Sequence, residues 1–353
     1  MFGTRPEAIK GGPVVAELRA LGVPVHVLCT GQHTDLLTGT PADTDLLPDV
    51  NLGLPGSGSA GEWLVKHLPR VIREMRMAEH DVVVVQGDTV SAYAGALAAK
   101  ILGIPVAHVE AGVRSGNWDH PSPEEAIRTA ISAIASTHYC HSTACVENLL
   151  SEGIEGEIVV TGNPGVSAIQ RYASGTGFAF VTKNPMVLVT LHRREWLSQV
   201  GAAQAMVQAI GRMAEQRPEL DFVWPMHPAV LTPFEKQWRA SAAPENFAIV
   251  SPFSYPQTIA TLRTCVGVLT DSGGLQEEAA TLGVPCAVLR VATDRPESVA
   301  AGMASLFLPL PSFLPEAVEW LLAPARIRES TQLFGGVNSA RNIALHLKAL
   351  IDS

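Results

Sequence analysis

The sequence lacks the features of a membrane-spanning or secreted chain. No stretch reaches the roughly 18 consecutive apolar residues that a transmembrane helix needs, and the first residues lack the basic-then-apolar order of a signal peptide. Of the 353 residues, 47% are hydrophobic and 17% are charged, which is enough to build a large buried core. These observations predict a cytoplasmic protein of two ordinary domains with no membrane partner.

Basic charge and paired cysteines are also lacking. The formal net charge is −9, and without a cluster of Lys and Arg this charge argues against nucleic acid as a partner. The odd total of five cysteines, with no C-x-x-C pair, favours buried reduced thiols over disulfides. Because His and Cys do not recur at metal-ligand spacing, we expect no metal site. No G-x-G-x-x-G or Walker motif is present, so we expect no nicotinamide cofactor either.

Short β-branched runs alternate with helix-like segments along almost the whole chain. The runs are Val23–Cys29, Asp81–Gln86, Val106–Glu110, Glu157–Thr161, Met186–Leu191, Asp221–Pro225, Phe247–Val250, Val266–Thr270 and Cys286–Arg290. A β-α-β-α order predicts parallel sheets with helices on both faces, so we expect an α/β fold with two Rossmann-like domains. We place the first domain at 1–171, a linker at 172–185 and the second domain at 186–353.

Polar clusters follow several of these runs. In an open α/β sheet, ligands bind beyond the carboxyl ends of the strands. Any one such cluster could be only a helix cap, but five of them at the same edge, from both halves of the chain, indicate a ligand site. The clusters are Gly3–Lys10, Gln86–Thr89, Glu110–Arg114, His192–Glu195 and Asp271–Glu278.

Groups suited to a diphosphate occur mainly in the second half. The Ser272–Gly274 turn precedes a predicted helix, whose N-terminal N–H groups and dipole favour an anion. Arg5 and Arg295 are suited to neutralising phosphates, and His192 is suited to binding and protonating a leaving phosphate. Glu277 and Glu278, on the first turn of that helix, could accept hydrogen bonds from ribose hydroxyls, or they could be solvated charges near a helix N-terminus.

Carboxylates occur in the first half, where no phosphate loop is evident. Asp88, Glu110 and Glu124 each follow or precede a predicted element at the ligand edge. Clustered acids raise one another's pKa, which suits proton transfer. Glu124 has a second interpretation, because an acidic residue after Pro123 could simply favour a helix N-terminus.

The motifs together resemble those of the non-hydrolysing UDP-N-acetylglucosamine 2-epimerases. The matching segments run from residue 2 to residue 297 in the family's order and are FGTRPEAIK, TGQHTDLL, QGDT, HVEAGVRSG, PSPEEAIR, VVTGN, TLHRRE, TDSGGLQEEA, LGVP and TDRPE. The resemblance implies the glycosyltransferase-B type of architecture, a nucleotide cleft between the domains and a homodimer. It also implies that the last helix crosses back onto the N-terminal domain.

The resemblance further implies an activity and a set of site residues. The family interconverts UDP-GlcNAc and UDP-ManNAc by anti elimination of UDP, which forms 2-acetamidoglucal, and readdition of UDP. By motif, the catalytic residues are Asp88, Glu110, Glu124 and His192. The UDP-binding positions are Arg5, Lys10, Ser272, Gly273, Gly274, Glu278 and Arg295. No metal and no cofactor take part.

Some positions depart from the family's pattern and keep other activities open. Ile127 stands where the family usually has Asn, Ser132 where it has Asp, and Thr258 where it has an aromatic ring for uracil. The His227–Ala229 segment lacks the usual Asn. The alternatives are a hydrolysing or altered-substrate paralogue and, with less support, a glycosyltransferase of the same fold or a regulator that binds a sugar nucleotide without turnover.

Overall fold

The computed structural model describes residues 1–32, 46–54, 56, 58–119, 121–173, 178–193, 201–226, 244–323 and 332–353. Strands and helices alternate along these ranges, and the strands pair in parallel, which confirms the predicted α/β class. In this part of the chain, no helix has the length and apolar character needed to cross a membrane. The chain divides into two compact units.

The first unit comprises Met1–Arg171 and Phe334–Ser353. Its strands are β1 (Leu28–Cys29), β2 (Val50–Asn51), β3 (Val83–Gln86), β4 (Val106–Val109), β5 (Thr137–Cys140) and β6 (Glu157–Val160). A four-stranded parallel sheet has the order β3-β4-β5-β6, and β1 pairs with β2 separately. A single parallel bridge joins Phe2 to Cys29.

Helices cover the sheet of the first unit. They are α1 (Arg5–Ala20), α2 (Ala60–Met75), α3 (Val90–Leu102), α4 (Glu124–Ile134), α5 (Thr143–Ser151), α6 (Pro164–Ala173) and, at the end of the chain, α12 (Ser339–Asp352). The last helix packs against α1 in an apolar cluster that includes Val14, Leu18, Ile343 and Leu347. Phe334–Ser353 is therefore part of the first unit, although it follows the second unit in sequence.

The predicted first strand, Val23–Cys29, is wrong over most of its length, because only Leu28 and Cys29 form a strand. Pro24 has no backbone N–H to donate to a neighbouring strand. The N–H of Val27 donates instead to the carboxylate of Asp49, at 2.6 Å. Within the run only Val27, Leu28 and Cys29 are buried, and these backbone constraints limit the strand to its last two residues.

The second unit comprises Tyr172–Leu333. Its strands are β7 (Met186–Thr190), β8 (Asp221–Pro225), β9 (Phe247–Val250), β10 (Gly267–Thr270), β11 (Cys286–Leu289) and β12 (Ala304–Phe307). They form a six-stranded parallel sheet in the order β12-β11-β10-β7-β8-β9. The described helices are α7 (Ala202–Gln216), α8 (Tyr255–Leu262), α9 (Gly273–Leu282), α10 (Pro296–Ala300) and α11 (Leu314–Leu322), with a 3₁₀ turn at Pro311–Phe313.

The local sequence explains why strands lead directly into helices at the candidate site. All four residues of β4 are buried, as expected for a parallel strand that is covered on both faces. Helix α3 begins after Thr89, whose side chain accepts the N–H of Ala92, and it ends at Gly103 in the left-handed conformation. Such short connections place the residues that follow each strand at one edge of the sheet.

Candidate active site

Glu110 follows β4 in an unusual backbone conformation. Its φ is +68°, and among the described residues it alone combines a positive φ with a side chain. This left-handed conformation costs about 1–2 kcal/mol for an L-residue, and such strain concentrates at functional sites. Gly112, at φ +76°, completes the turn, and a Cβ there would lie only 2.1 Å from the carbonyl oxygen of Cys145 in α5. The tight approach to α5 therefore holds the turn that carries Glu110.

Two donors converge on one oxygen of the Glu110 carboxylate. The ammonium Nζ of Lys10, from α1, lies 2.7 Å from Oε2 of Glu110. The side-chain amide of Gln86, the last residue of β3, donates to the same oxygen. All three side chains are largely buried, so these charge-assisted contacts act in a low dielectric and fix the carboxylate in place.

Asp88 lies in the turn between β3 and α3, one residue after Gly87. Its carboxylate pairs with the guanidinium of Arg128, from α4, and its side chain remains 29% exposed. Arg128 also lies 3.2 Å from Oε2 of Glu125, and the Glu125 carboxylate accepts the backbone N–H of Ser115. A buried arginine thus orients Asp88 and is itself oriented by a second, buried carboxylate.

Glu124 is the first residue of α4 and is partly buried. An acid at this position interacts favourably with the helix dipole, which is one of the two interpretations of Glu124 from the sequence. Its catalytic role stays a prediction. Its neighbour Glu125 was not among the expected site residues, although it is almost completely buried. The two adjacent acids have different surroundings, which the sequence alone could not distinguish.

Glu7 is a second buried acid that sequence reasoning did not assign. Its carboxylate accepts the N–H groups of Gly3 and Thr4, at 2.9 and 2.7 Å, and the hydroxyl of Thr89, at 2.7 Å. Burial is the largest effect on this group and raises the pKa of Glu7, while those hydrogen bonds lower it. The Thr-x-x-Glu spacing of a capping box was the available signal. Arg5, the first residue of α1, follows the turn that Glu7 stabilises.

His108 supports the turn that carries Asp88. Its ring is almost completely buried in β4, and its Nε2 lies 2.8 Å from the carbonyl oxygen of Gly87. Burial lowers the pKa of His108 to about 4. The ring is therefore neutral near pH 7 and can donate an Nε2–H hydrogen bond to that carbonyl.

The depressed pKa of His108 makes the stability of the protein depend on pH. Histidine in an unfolded chain has a pKa of about 6.5. The contribution of neutral, buried His108 to the free energy of unfolding is therefore complete above that pH and is lost as the pH falls toward about 4. Between pH 7.5 and 5 we expect the wild type to lose roughly 2 kcal/mol more than His108→Gln, whose amide can still donate to Gly87. Thermal unfolding at both pH values measures this difference. Equal losses in the two proteins would contradict the assignment.

In the second unit, the predicted anion turn opens a helix. Ser272 precedes α9, and its hydroxyl accepts the N–H of Leu275 at 3.4 Å. Gly273 and Gly274 are the first residues of α9, where backbone N–H groups have no partner within the helix. A Cβ on Gly274 would meet no atom within 4 Å. The turn thus has N–H groups that can bind a phosphate and open space beside Gly274, whereas a Cβ on Gly273 would lie 3.3 Å from an oxygen of Asp294.

Arg295 is surrounded by carboxylates and is almost completely buried. Its Nε donates to Glu277 of α9, and its Nη1 lies 3.3 Å from Oδ2 of Asp294. Asp294 also pairs with Arg290 at 2.8 Å. One interpretation of Glu277 from the sequence was a solvated surface charge. In the structure Glu277 is buried and orients Arg295. Glu278, the next residue, is partly exposed.

His192 lies just after β7, beside the end of β10. The ring is 60% exposed, and Nδ1 is 3.2 Å from Oδ1 of Asp271, which is fully buried. Of the predicted polar cluster His192–Glu195, the structure describes His192 and Arg193. His227, Pro228 and Ala229 also lie outside the described residues.

Three positions that depart from the family pattern have ordinary local roles. Ile127 packs in the apolar core of the first unit. The hydroxyl of Ser132 accepts a hydrogen bond from Arg114 at 3.1 Å. The hydroxyl of Thr258 donates to the carbonyl of Ser254 at 3.0 Å. These contacts show how the replacements are accommodated.

Comparison with known proteins identifies the family. The family model described as UDP-N-acetylglucosamine 2-epimerase matches residues 16–348. The chain belongs to the UDP-N-acetylglucosamine 2-epimerase family. It is 36% identical over 329 residues to the UDP-N-acetylglucosamine 2-epimerase of Salmonella typhimurium, covering 87% of this chain and 85% of the relative. The corresponding protein of Bacillus subtilis is 35% identical over 316 residues, covering 87% and 82%. The resemblance described from the motifs is thereby confirmed.

Solved structures agree with the family assignment. The UDP-GlcNAc 2-epimerase of Neisseria meningitidis, bound to UDP-GlcNAc, is 30% identical with a TM-score of 0.85, covering 99% of this chain and 98% of that chain. The Methanocaldococcus jannaschii enzyme, in complex with UDP-GlcNAc and UDP, is 32% identical with a TM-score of 0.87 and the same coverage. The glycosyltransferase SnogD from Streptomyces nogalater, at 18% identity and a TM-score of 0.57, shares the fold alone.

Proposed function

We propose that this epimerase-family chain converts UDP-GlcNAc reversibly to UDP-ManNAc by inverting the configuration at C2 of the sugar. The observation that carries the proposal is the strained, buried Glu110, whose carboxylate is held by Lys10 and Gln86. Family membership supports the substrate, since two solved relatives of 30% and 32% identity are described with UDP-GlcNAc bound.

The proposed reaction is an elimination followed by an addition. In the first step the C1–O bond breaks and UDP leaves with its electron pair. A carboxylate removes the C2 proton, and the electrons of the C2–H bond form the C1–C2 double bond of 2-acetamidoglucal. In the second step a proton is delivered to the opposite face of C2, and UDP readds at C1. The C2–H bond is only weakly acidic. Cleavage of the C1–O bond, with departure of UDP, therefore runs ahead of proton removal from C2.

We assign the proton transfers at C2 to carboxylates of the first unit. Inversion needs an acid or base on each face of the sugar, and the candidates are Asp88, Glu110 and Glu124. Glu110 is a carboxylate fixed by a cation and an amide, whereas Asp88 is paired with Arg128 and is more exposed. These different surroundings suit two acids that exchange protons with the two faces.

We assign binding of the UDP group to residues that can bind or stabilise an oxyanion. The Ser272–Gly274 turn supplies N–H groups at a helix N-terminus, and Arg5 and Arg295 are the candidate cations, with Arg295 held by Glu277 and Asp294. His192 acts at the phosphate side of the breaking bond, and Glu278 accepts hydrogen bonds from the ribose. Lys10 neutralises Glu110 and is also a candidate for the phosphate.

Product analysis tests the proposed function. Purified protein is incubated with UDP-GlcNAc or with UDP-ManNAc, and the nucleotides are separated by ion-exchange chromatography. We expect both reactions to reach the same mixture of the two nucleotide sugars. Release of free ManNAc with UDP would instead indicate a hydrolysing enzyme. No conversion in either direction, with UDP still bound, would contradict the proposed activity.

Asp88→Asn tests the second acid or base. Asparagine preserves the size of the side chain and can still accept a hydrogen bond from Arg128, but it cannot exchange a proton. We expect kcat to fall about 10²- to 10³-fold, with the affinity for UDP within threefold of the wild type. Initial rates and isothermal titration with UDP measure the two quantities. Normal turnover would show that Asp88 does not transfer a proton.

We also propose a cytoplasmic homodimer. The cysteines of the chain are buried free thiols, which is typical of a reducing compartment, and the homodimer follows from the family resemblance. Light scattering during size-exclusion chromatography measures the mass in solution. A mass near twice the 37.4 kDa of one chain is expected, and a monomer at working concentration would contradict the proposed dimer.

A further inference from the structure

Asp271 has a buried carboxylate that reaches from the end of β10 to the end of β7. One oxygen, Oδ2, accepts the backbone N–H groups of both His192 and Arg193, each at 2.8 Å. The other oxygen, Oδ1, lies 3.2 Å from Nδ1 of the His192 ring. The backbone carbonyl of Asp271 accepts Nε of Arg193 at 2.8 Å. One residue thus contacts both the backbone and the ring of the phosphate-side histidine.

The usual role of an acid at this place in a fold belongs to a different residue. An Asp between a strand and a helix often caps the helix. Here Ser272 caps α9, and the N–H of Ser272 donates to the hydroxyl of Thr270 at 3.0 Å. The Asp271 carboxylate instead contacts His192 and Arg193, so a capping role does not explain its position.

The contact with Nδ1 has a chemical consequence for the ring. A carboxylate beside Nδ1 favours a hydrogen on that nitrogen, because it can accept a hydrogen bond but has none to donate. In the neutral ring, Nε2 then carries the lone pair. The His192 side chain is 60% exposed while Asp271 is fully buried, so we infer that Nε2, the ring nitrogen that does not contact Asp271, is the one that can reach a ligand.

We propose that Asp271 is a positioning residue that fixes the Nδ1–H tautomer of His192 and thereby presents Nε2 to the nucleotide sugar. Together with the proposed function, this assigns one proton transfer. The protonated ring gives its Nε2 proton to the phosphate oxygen as the C1–O bond breaks, and the neutral ring keeps its hydrogen on Nδ1. Readdition of UDP returns the proton to Nε2.

Nitrogen-15 NMR of the histidine side chains tests the tautomer without any substrate. Two-bond ¹⁵N–¹H spectra at a pH where the ring is neutral distinguish a protonated Nδ1 from a protonated Nε2, and His192→Gln assigns the signal. We expect the Nδ1–H tautomer in the wild type. The Nε2–H tautomer in the wild type would overturn the proposal, even if no Asp271 variant could be purified.

Asp271→Asn separates positioning from simple backbone support. The amide oxygen of Asn can still accept the N–H groups of His192 and Arg193, but its NH₂ then faces Nδ1 and favours the Nε2–H tautomer. We expect that tautomer, together with a kcat about 10²- to 10⁴-fold lower and a KM within threefold of the wild type. A merely structural Asp271 would leave the tautomer and kcat unchanged, which would overturn the proposal.

Asp221→Asn is the matched control. Asp221 is also a buried acid of the second unit, and it accepts the N–H of Asn184 at 2.7 Å. Its replacement should leave kcat and the His192 tautomer unchanged. The double variant Asp271→Asn/His192→Gln should be no slower than His192→Gln alone. Both substitutions remove the same proton transfer, the one made by Nε2 of His192, so their effects should not add. If the tautomer is as expected but the wild type does not epimerise UDP-GlcNAc, the proposed function fails and the positioning role stands.

Discussion

Glu110→Gln is expected to lower kcat by about 10³-fold or more while leaving the affinity for UDP within threefold of the wild type. Glutamine has the size of glutamate and can still accept a hydrogen bond from Lys10, so the fold and the neighbouring side chains should change little. It cannot take up a proton from C2 or return one. The loss should therefore appear in the chemical step and not in nucleotide binding.

The measurement is the initial rate of UDP-ManNAc formation, with isothermal titration of UDP in parallel. Glu147→Gln provides a control, because Glu147 is an exposed acid on α5 in the same unit. It should retain wild-type kcat. A Glu110→Gln enzyme within tenfold of the wild type would show that another group exchanges the C2 proton.

Gly112→Ala should be the most damaging small substitution in the turn that carries Glu110. The added Cβ would lie 2.1 Å from a backbone carbonyl oxygen, and the residue would keep φ +76°. Left-handed strain contributes about 1–2 kcal/mol, and displacement of the backbone adds to it, so we expect a loss of at least about 3 kcal/mol in the free energy of unfolding. A shift of the turn would also misplace Glu110 and lower kcat about 10²-fold.

Gly116→Ala separates the effect of backbone strain from the effect of a steric clash. Gly116 has a similar φ of +69°, but a Cβ there would meet no atom within 4 Å. It should cost only about 1–2 kcal/mol, and kcat should change little. Urea unfolding followed by circular dichroism compares the two variants. Equal losses of stability would contradict the tight contact between the turn and α5.

The α/β fold could be predicted because parallel strands buried on both faces appear in the sequence as short apolar runs. The prediction Asp81–Gln86 differs from β3 by two residues, and Val106–Glu110 differs from β4 by one. The sequence was less informative at Val23–Cys29. There the hydrogen bond between Val27 and Asp49 depends on a residue more than twenty positions away.

Charged and polar residues at the strand ends could be found from the sequence, but their partners could not. Lys10 and Glu110 were both candidates, yet their pairing joins residues a hundred positions apart. Arg128 and Asp271 were not assigned roles, because a buried arginine in a helix and an acid before a helix cap look ordinary in one sequence. Their roles depend on which strands are neighbours, and sheet order is a property of the fold.

Proton exchange at C2 is the most direct test of epimerisation by elimination and readdition. The purified protein is incubated with UDP-GlcNAc in deuterated buffer, and proton NMR follows both nucleotide sugars. We expect UDP-ManNAc with deuterium at C2, because one carboxylate removes a proton, that proton exchanges with solvent, and a deuteron is delivered to the opposite face. UDP-ManNAc that retains its original hydrogen at C2, or a spectrum that does not change, would contradict this mechanism.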